Sequence, residues 1–171
     1  MSRNSRSIAA IFVENIGRFG KLKIIGLDQR FLKGTAMKKF ILATLSFFIL
    51  TMPWAFLWHV IWFHEIYAQL GAFTRSEPIM PLGMASVLIQ GAVIAYLYPF
   101  YYRGGHPIVQ GIKFSLIIGL MVYTMMGFTT AAKMVIEPVS TFLVYVTIYQ
   151  LVQFIVTGSA LGLIYGRICG K

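Results

Sequence analysis

The feature that most constrains this chain is an uncharged apolar stretch that runs from Phe40 to Trp58. Lys38 and Lys39 precede it, and an aromatic segment with titratable groups follows it. About 20 predominantly apolar residues are enough for a helix to cross the hydrocarbon core of a bilayer. The stretch therefore predicts a transmembrane helix, anchored by basic residues at one end and by an aromatic belt at the other. Pro53 and the bulky aromatics after it offer no small-residue cleavage site, so we expect a retained helix rather than a secretory signal.

Composition extends this prediction to the whole chain. The 171 residues are 58% hydrophobic and 12% charged, whereas a soluble domain has about 25% charged residues. The formal net charge is +10, which we attribute to membrane topology and anionic lipid headgroups rather than to nucleic acid. The single cysteine, Cys169, cannot form a disulfide within one chain.

Four apolar segments recur along the chain, separated by turn-forming and charged residues. We predict an all-α, four-helix transmembrane bundle over residues 39–168. The predicted spans are approximately 40–63, 82–102, 111–136 and 141–168.

The basic residues are distributed unequally between the predicted sides of the membrane. Thirteen of the 15 Lys and Arg residues fall in the N-terminal arm, the 103–113 turn and the C-terminal tail; the other two, Arg75 and Lys133, fall in the opposite connections. Lys and Arg are enriched in the cytoplasmic loops of membrane proteins. This alternation predicts a multi-pass protein of the bacterial inner membrane with both termini in the cytoplasm.

Residues 1–38 form a basic arm that contains short apolar groups between its cations. One interpretation is a mobile or surface-lying amphipathic segment on anionic headgroups. The alternatives are a disordered arm, an over-long gene start before Met37, and an organelle transit peptide.

Small residues recur at four-residue spacing in the third and fourth predicted spans. Such strips let helix backbones approach closely in lipid. We expect the two strips to meet, within one chain or across a homodimer; they are formed by Gly111, Ser115 and Gly119 and by Gly158, Gly162 and Gly166.

Three tryptophans in the first span lie close to one helical face with an acidic residue. At 100° per residue, Trp54, Trp58, Trp62 and Glu65 fall within about 80° of each other. An interfacial aromatic belt with a solvated carboxylate is one interpretation. The other is an aromatic-lined pocket for a flat or cationic ligand.

His59 is a candidate for packing or for ligand binding. His59 and His64 are about 140° apart on a helix, so one helix cannot direct both at a single metal. His59 could pack through a hydrogen bond, handle a proton, or ligate haem or metal with a group from another helix. No cofactor is otherwise indicated.

Further polar residues are expected in the outer half of the membrane. They are Gln90, Thr129, Lys133 and Gln150, with Gln153 and Thr157 continuing the stripe of Gln150. Interhelical hydrogen bonds explain such residues at about 0.6 kcal/mol each. The alternative is a polar cavity that opens outward, in which Lys133 attracts an anion or is neutralised by Glu137.

A longer pattern resembles a known group of proteins. It comprises the stretch from His64 to Arg75, Glu77-Pro78-Ile79, Gln90-Gly91 and Tyr102-Arg103-Gly104-Gly105. On these residues the chain resembles small bacterial inner-membrane proteins of an uncharacterised family, a domain of unknown function. The resemblance covers residues 40–167 and implies four spans and a bacterial source, with no activity to transfer.

No phosphate-binding, dinucleotide-binding, HExxH or GxSxG motif is present in the sequence. We therefore expect a non-catalytic membrane protein that binds a small or lipid-soluble ligand, or a partner membrane protein, through its outer half. The alternatives are an oligomeric transporter or channel subunit, and a haem-handling, metal-handling or enzymatic factor that uses His59.

Overall fold

The structure, a computed structural model, describes residues 34–72 and 78–166. The chain divides into two compact units, residues 1–38 and 39–171. Most of the predicted basic arm, the connection around Arg75 and the tail from Arg167 lie outside the described residues.

All regular structure in the described ranges is helical. The α-helices are α1 (Gly34–Phe56), α2 (His64–Gln69), α3 (Met80–Tyr101), α4 (Pro107–Tyr123), α5 (Thr130–Lys133) and α6 (Val139–Gly166). Two π-helical segments, Leu57–Trp62 and Thr124–Thr129, continue α1 and α4 without a loop.

Four helices are long and apolar enough to cross a membrane, which confirms the predicted multi-pass, all-helical class. They are Gly34–Trp62, Met80–Tyr101, Pro107–Lys133 and Val139–Gly166. All four begin before their predicted starts at residues 40, 82, 111 and 141, and the difference is largest for the first and third. Pro107 is the first residue of α4, where its missing N–H has no helical partner to lose and its fixed φ suits the helix.

The third span also ends before its predicted limit. Met134 leaves the helical region with φ −107° and ψ 148°. A connection through Ile136 and the cis Glu137–Pro138 peptide leads into α6. Hydrophobicity alone had extended the span to residue 136, and Ile136 is indeed buried, but in a connection instead of a helix.

Helices α4 and α6 pack antiparallel along most of their length. Gly111 is so close to Gly158 and Gly162 that a Cβ on Gly111 would collide with their backbone atoms. Four residues further along α4, Ser115 meets Gly158, and after another four Gly119 meets the ring of Phe154. Moving four residues forward along α4 corresponds to moving four residues backward along α6. The small residues of the two helices therefore contact one another at regular intervals.

Helix α3 meets α1 through another glycine. A Cβ on Gly91 would lie 3.1 Å from Thr44 O and 3.1 Å from the Phe47 ring. Beside this contact Ala95 is buried. The buried face of α3 is therefore short, and the first half of the helix from Met80 to Ile89 is mainly exposed.

The two ends of the bundle have different constructions. The turn end contains Tyr98, Tyr102, Pro107, Phe114 and Tyr165, and Tyr165 OH donates to Ala95 O at 2.8 Å. The aromatic end contains residues 57–72 and 134–146. There the Glu137 N–H donates to Leu70 O at 3.2 Å, which ties the two connections together.

Candidate functional site

The aromatic end is built around Trp58 and Tyr67, both of which are buried. Trp58 Nε1 donates to Tyr67 OH over 3.2 Å. Phe63, Tyr145 and Tyr149 add rings to this pair, with ring centroids 4.5, 6.4 and 6.0 Å from that of Trp58. Burial raises the pKa of Tyr67, partly offset by the hydrogen bond from Trp58.

His59 lies in the first π-helical segment, between two tyrosine rings. Its ring centroid is 4.6 Å from that of Tyr149 and 4.9 Å from that of Tyr67. Single π-helical turns frequently occur at functional sites. Here the π-helical turn directs the imidazole into the bundle, where it fills space between α2 and α6.

The predicted tryptophan stripe is a set of rings in mutual contact. The Trp54 ring centroid is 5.3 Å from that of Trp58 and 6.0 Å from that of Trp62. Trp62 is 55% exposed. Glu65 lies beyond the non-helical residue Phe63, on the exposed side of α2.

A groove opens between α1 and α6. It has a volume of about 230 Å³. Its walls include Leu50 and Trp54 from α1, Leu57 from the first π-helical segment, and Gln153, Val156 and Thr157 from α6. All of these residues belong to helices long and apolar enough to cross a membrane. The groove is therefore an apolar cleft with a small polar floor within the bilayer-spanning part of the chain.

The polar floor consists of Gln153 and Thr157, both buried. The Thr157 hydroxyl donates to the backbone oxygen of Gln153 at 2.8 Å, so its own donor is already used. On the opposite wall, Trp54 Nε1 donates to Tyr149 O at 3.3 Å. The Trp54 ring lies parallel to that of Tyr149, with an interplanar angle of 4°. These bonds fix the groove walls and leave the Gln153 amide as the polar group facing the space.

Gln150 of α6 and Thr51 of α1 are two further buried polar residues. Their side chains are 7% and 2% exposed. Gln150 Oε1 and Thr51 Oγ1 have no hydrogen-bond partner among the described residues. The ring contact of Phe47 with Phe154 lies one turn away on one side, and that of Trp54 with Tyr149 on the other. The two residues are therefore at about the same level of the bundle.

The structure distributes the other predicted polar residues over separate surfaces. Gln90 Nε2 donates to Ser86 Oγ at 3.1 Å on the exposed side of α3. Thr129 Oγ1 donates to Thr124 O at 3.2 Å within the second π-helical segment. Lys133 is exposed at the end of α5. Neither Thr129 nor Lys133 is part of the α1–α6 groove.

Sequence reasoning missed several residues that shape the site. Tyr149 is not among the candidates that the sequence indicates, yet its ring contacts Trp54, Trp58 and His59. Thr51 was hidden in the apolar run of the first span. A hydroxyl every seventh residue on one face, Thr44 and Thr51, was the available signal.

Comparisons with known proteins give no assignment for this chain. No protein-family model, curated protein or solved structure matches the chain. Within residues 34–72 and 78–166, no three His, Cys, Asp or Glu side chains cluster as a metal-ion site would require.

Proposed function

We propose that this chain is a non-catalytic multi-pass membrane protein that binds a lipid-soluble molecule in the groove between α1 and α6. The observation that carries the proposal is the combination of apolar walls with the buried polar pair Gln153 and Thr157 inside membrane-spanning helices. Ligand sites are concave and mainly apolar, with a few placed polar groups. A groove between two spans admits its ligand sideways from the bilayer.

The topology proposed for this function follows the basic residues. In the described chain Arg103 and Lys113 lie toward the turn end, and Lys133 toward the aromatic end. The positive-inside rule then assigns the turn end to the cytoplasm. This orientation agrees with a bacterial inner-membrane protein, with the resemblance to an uncharacterised inner-membrane family, and with a basic arm (1–38) on anionic headgroups.

The groove proposal is tested by the molecules that co-purify with the protein. Val156 lines the groove and is 45% exposed, whereas its neighbour Ile155 is 42% exposed and does not line it. Val156→Phe should fill the groove, and Ile155→Phe adds the same ring elsewhere on α6. Organic extraction and mass spectrometry should find a neutral lipid in near-equal molar amount with the unmodified chain and with Ile155→Phe. The same lipid should be lost from Val156→Phe. An equal lipid content in all three proteins contradicts the proposal.

A second candidate function is self-association through α3, within an oligomeric transporter or another assembly. The Ser86–Gln90 pair is exposed near the middle of a membrane-spanning helix. Gly83 on the same side has no atom within 4 Å of a Cβ position. Lipid offers no hydrogen-bond partner, and an amide can both donate and accept across a two-fold axis.

Disulfide trapping tests this second candidate. In a Cys169→Ser background, Ser86→Cys should form a covalent dimer on mild oxidation in native membranes. The additional change Gln90→Leu should abolish the dimer. A dimer that persists after this change, or one that never forms, excludes α3 as the contact.

A further inference from the structure

The groove has a position in the membrane that restricts which molecules can occupy it. Gln153 lies near the middle of α6, which extends from Val139 to Gly166. At 1.5 Å per residue, each end of the helix is about 20 Å from Gln153. A hydrocarbon core about 30 Å thick places the headgroup regions about 15 Å from its centre. The Gln153 amide is therefore at the depth of the acyl-chain ends.

This depth excludes charged headgroups as the group recognised by Gln153. A charged group at the bilayer centre costs at least about 2.5–3.5 kcal/mol even when water and snorkelling reduce the penalty. No Lys, Arg, Asp or Glu is among the residues that line the groove. A phospholipid could place its acyl chains in the groove, but it could not bring its phosphate to the amide. The recognised group must be neutral and compact.

The hydrogen bonds already made by the groove residues further restrict the chemistry of the ligand. The Thr157 hydroxyl and the Trp54 indole N–H are already donated to backbone oxygens. The Gln153 amide N–H₂ is the remaining donor, and its natural partner is a carbonyl oxygen. The ring of Trp54 forms part of the wall, and flat rings pack against aromatic side chains in offset or edge-on arrangements.

We propose, on the basis of the function proposed above, that the groove ligand is a neutral, flat, carbonyl-bearing ring on a hydrophobic chain, a molecule of the lipid-quinone class. The Gln153 amide donates to one ring carbonyl, the Trp54 ring packs against the ligand ring, and the chain follows Val156 and Leu57 toward lipid. The interaction is binding alone, with no electron transfer to the protein. The volume of about 230 Å³ exceeds the ~30 Å³ share of one water molecule several-fold, which is enough for a substituted six-membered ring.

Equilibrium binding to the full chain in nanodiscs tests the ligand class. The probe is a benzoquinone with a short isoprenoid chain. Its binding is measured by quenching of tryptophan fluorescence, and the saturable part of the quenching reports specific binding. The matched compound is the corresponding dimethoxybenzene, which has the same ring and chain but no carbonyl group. A brominated phospholipid serves as the third compound.

The unmodified chain should bind the quinone saturably. Gln153→Met should lower the quinone affinity about tenfold, which is the loss expected for one hydrogen bond of about 1.4 kcal/mol. Val156→Phe should remove saturable binding, and Ile155→Phe should leave it unchanged. The dimethoxy compound should bind the unmodified chain about as weakly as the quinone binds Gln153→Met. Thermal unfolding of each variant establishes that it is folded; if Gln153→Met is not, Gln153→Asn shortens the amide and should weaken quinone binding in the same direction.

Two results overturn the ligand class while leaving the groove function intact. One is equal affinity for the quinone and for the dimethoxy compound, and the other is a quinone affinity that Gln153→Met does not change. In both cases Val156→Phe must still abolish the binding. Binding of the brominated phospholipid alone, blocked by Val156→Phe, likewise retains the groove and rejects the quinone class. If no compound shows binding that depends on Val156, both the ligand class and the groove function are wrong.

Discussion

Gln150 is a polar side chain that the fold buries inside an apolar bundle. Its amide oxygen has no partner in the described residues, and neither has the hydroxyl of Thr51 at the same level. A buried acceptor without a hydrogen bond costs about 1–3 kcal/mol. This cost distinguishes Gln150 from Gln153, whose amide faces the groove.

Replacement of Gln150 by Met tests whether this acceptor is unpaired. Gln150→Met keeps the side-chain length and removes the polar group, so thermal stability in detergent should rise by about 1 kcal/mol. Gln90→Met is the control, because it removes the hydrogen bond to Ser86 and should leave stability unchanged or slightly lower. A marked loss of stability in Gln150→Met would instead show that a bound molecule, such as water, satisfies the amide.

Tyr67 gives the fold a predictable pH dependence at the aromatic end. Burial raises its pKa above the ordinary value of 10.0, so the unfolded chain loses this proton first as the pH rises. The stabilising contribution is complete below about pH 10 and declines as the pH rises through 10 toward the folded-state pKa. His59 and Tyr145 also contact the Tyr67 ring, so the comparison must be between matched proteins.

Denaturant unfolding of the unmodified chain and of Tyr67→Phe in detergent, from about pH 8 to pH 11, measures this contribution. Tyr67→Phe should lose about 0.5–1.5 kcal/mol at pH 8, because the hydrogen bond from Trp58 is lost. The difference between the two proteins should shrink as the pH rises. A constant difference over this range would mean that Tyr67 does not ionise with a raised pKa.

At the scale of elements, the pairing of α4 with α6 depends on the absence of side chains at three glycines. The backbone of Pro107 and Ile108 occupies the space where a Cβ of Gly162 would lie, and Gly111 and Gly158 are similarly close to the facing helix. Backbone atoms cannot move aside as flexible side-chain ends can. The small-residue strips therefore serve contact between two helices of one chain.

Leucine substitution at two glycines separates packing from helix propensity. Gly162→Leu should destabilise the chain by about 3 kcal/mol, the upper end of the usual overpacking cost, because it forces α4 away from α6. Gly83→Leu gains the same helix propensity, and open space surrounds its Cβ position. Thermal unfolding of the two variants in detergent is the measurement. Equal stabilities would contradict the close α4–α6 contact.

The π-helical segments are elements that hydrophobic periodicity does not reveal. Leu57–Trp62 ends with the Phe63 N–H donating to Trp58 O at 3.1 Å, a bond one residue longer than in an α-helix. The extra residue rotates the positions that follow it. His59 lies within this segment and packs between Tyr67 and Tyr149.

At the scale of the whole molecule, the four helices form a bundle whose two ends differ in construction. Gly71 has a φ of 77° and lies against Val135 at the aromatic end, where the Leu70–Glu137 hydrogen bond joins the two connections. The turn end contains the 102–106 turn and the close contact of Pro107 with Gly166. The residues 102–106 and 166 are therefore on the same side of the membrane.

Reporter fusions test this arrangement. Fusions at Ser76 and at Lys171 should report opposite compartments, and a fusion after Arg103 should agree with the one at Lys171. Activity of a cytoplasmic reporter at Lys171 and Arg103 would match the distribution of Lys and Arg. If Ser76 and Lys171 reported the same side, the number of crossings between them would be even and the bundle would be wrong.

The sequence by itself indicated that most of this chain lies in hydrocarbon rather than in water, and it predicted the number of long helices. Long uncharged runs such as Phe40–Trp58 can satisfy their backbone polar groups in hydrocarbon only by forming helices, and this constraint needs no tertiary information. The four-residue spacing of Gly158, Gly162 and Gly166 likewise indicated a face suited to close approach. Both features are local properties of the sequence, one a continuous apolar run and the other a four-residue spacing. They can therefore be recognised without knowing what the helices contact.

The tertiary structure decided which polar residues share a space. Gln153 lines a groove because the first span, Gly34–Trp62, places Leu50, Trp54 and Leu57 opposite it. Gln90 and Lys133 occupy other surfaces. Helix spacing gives the angle of a side chain around its own axis, but it does not give the neighbour that this angle faces. That neighbour depends on how the helices cross and on where π-helical turns shift their phase, and both are properties of the packed bundle.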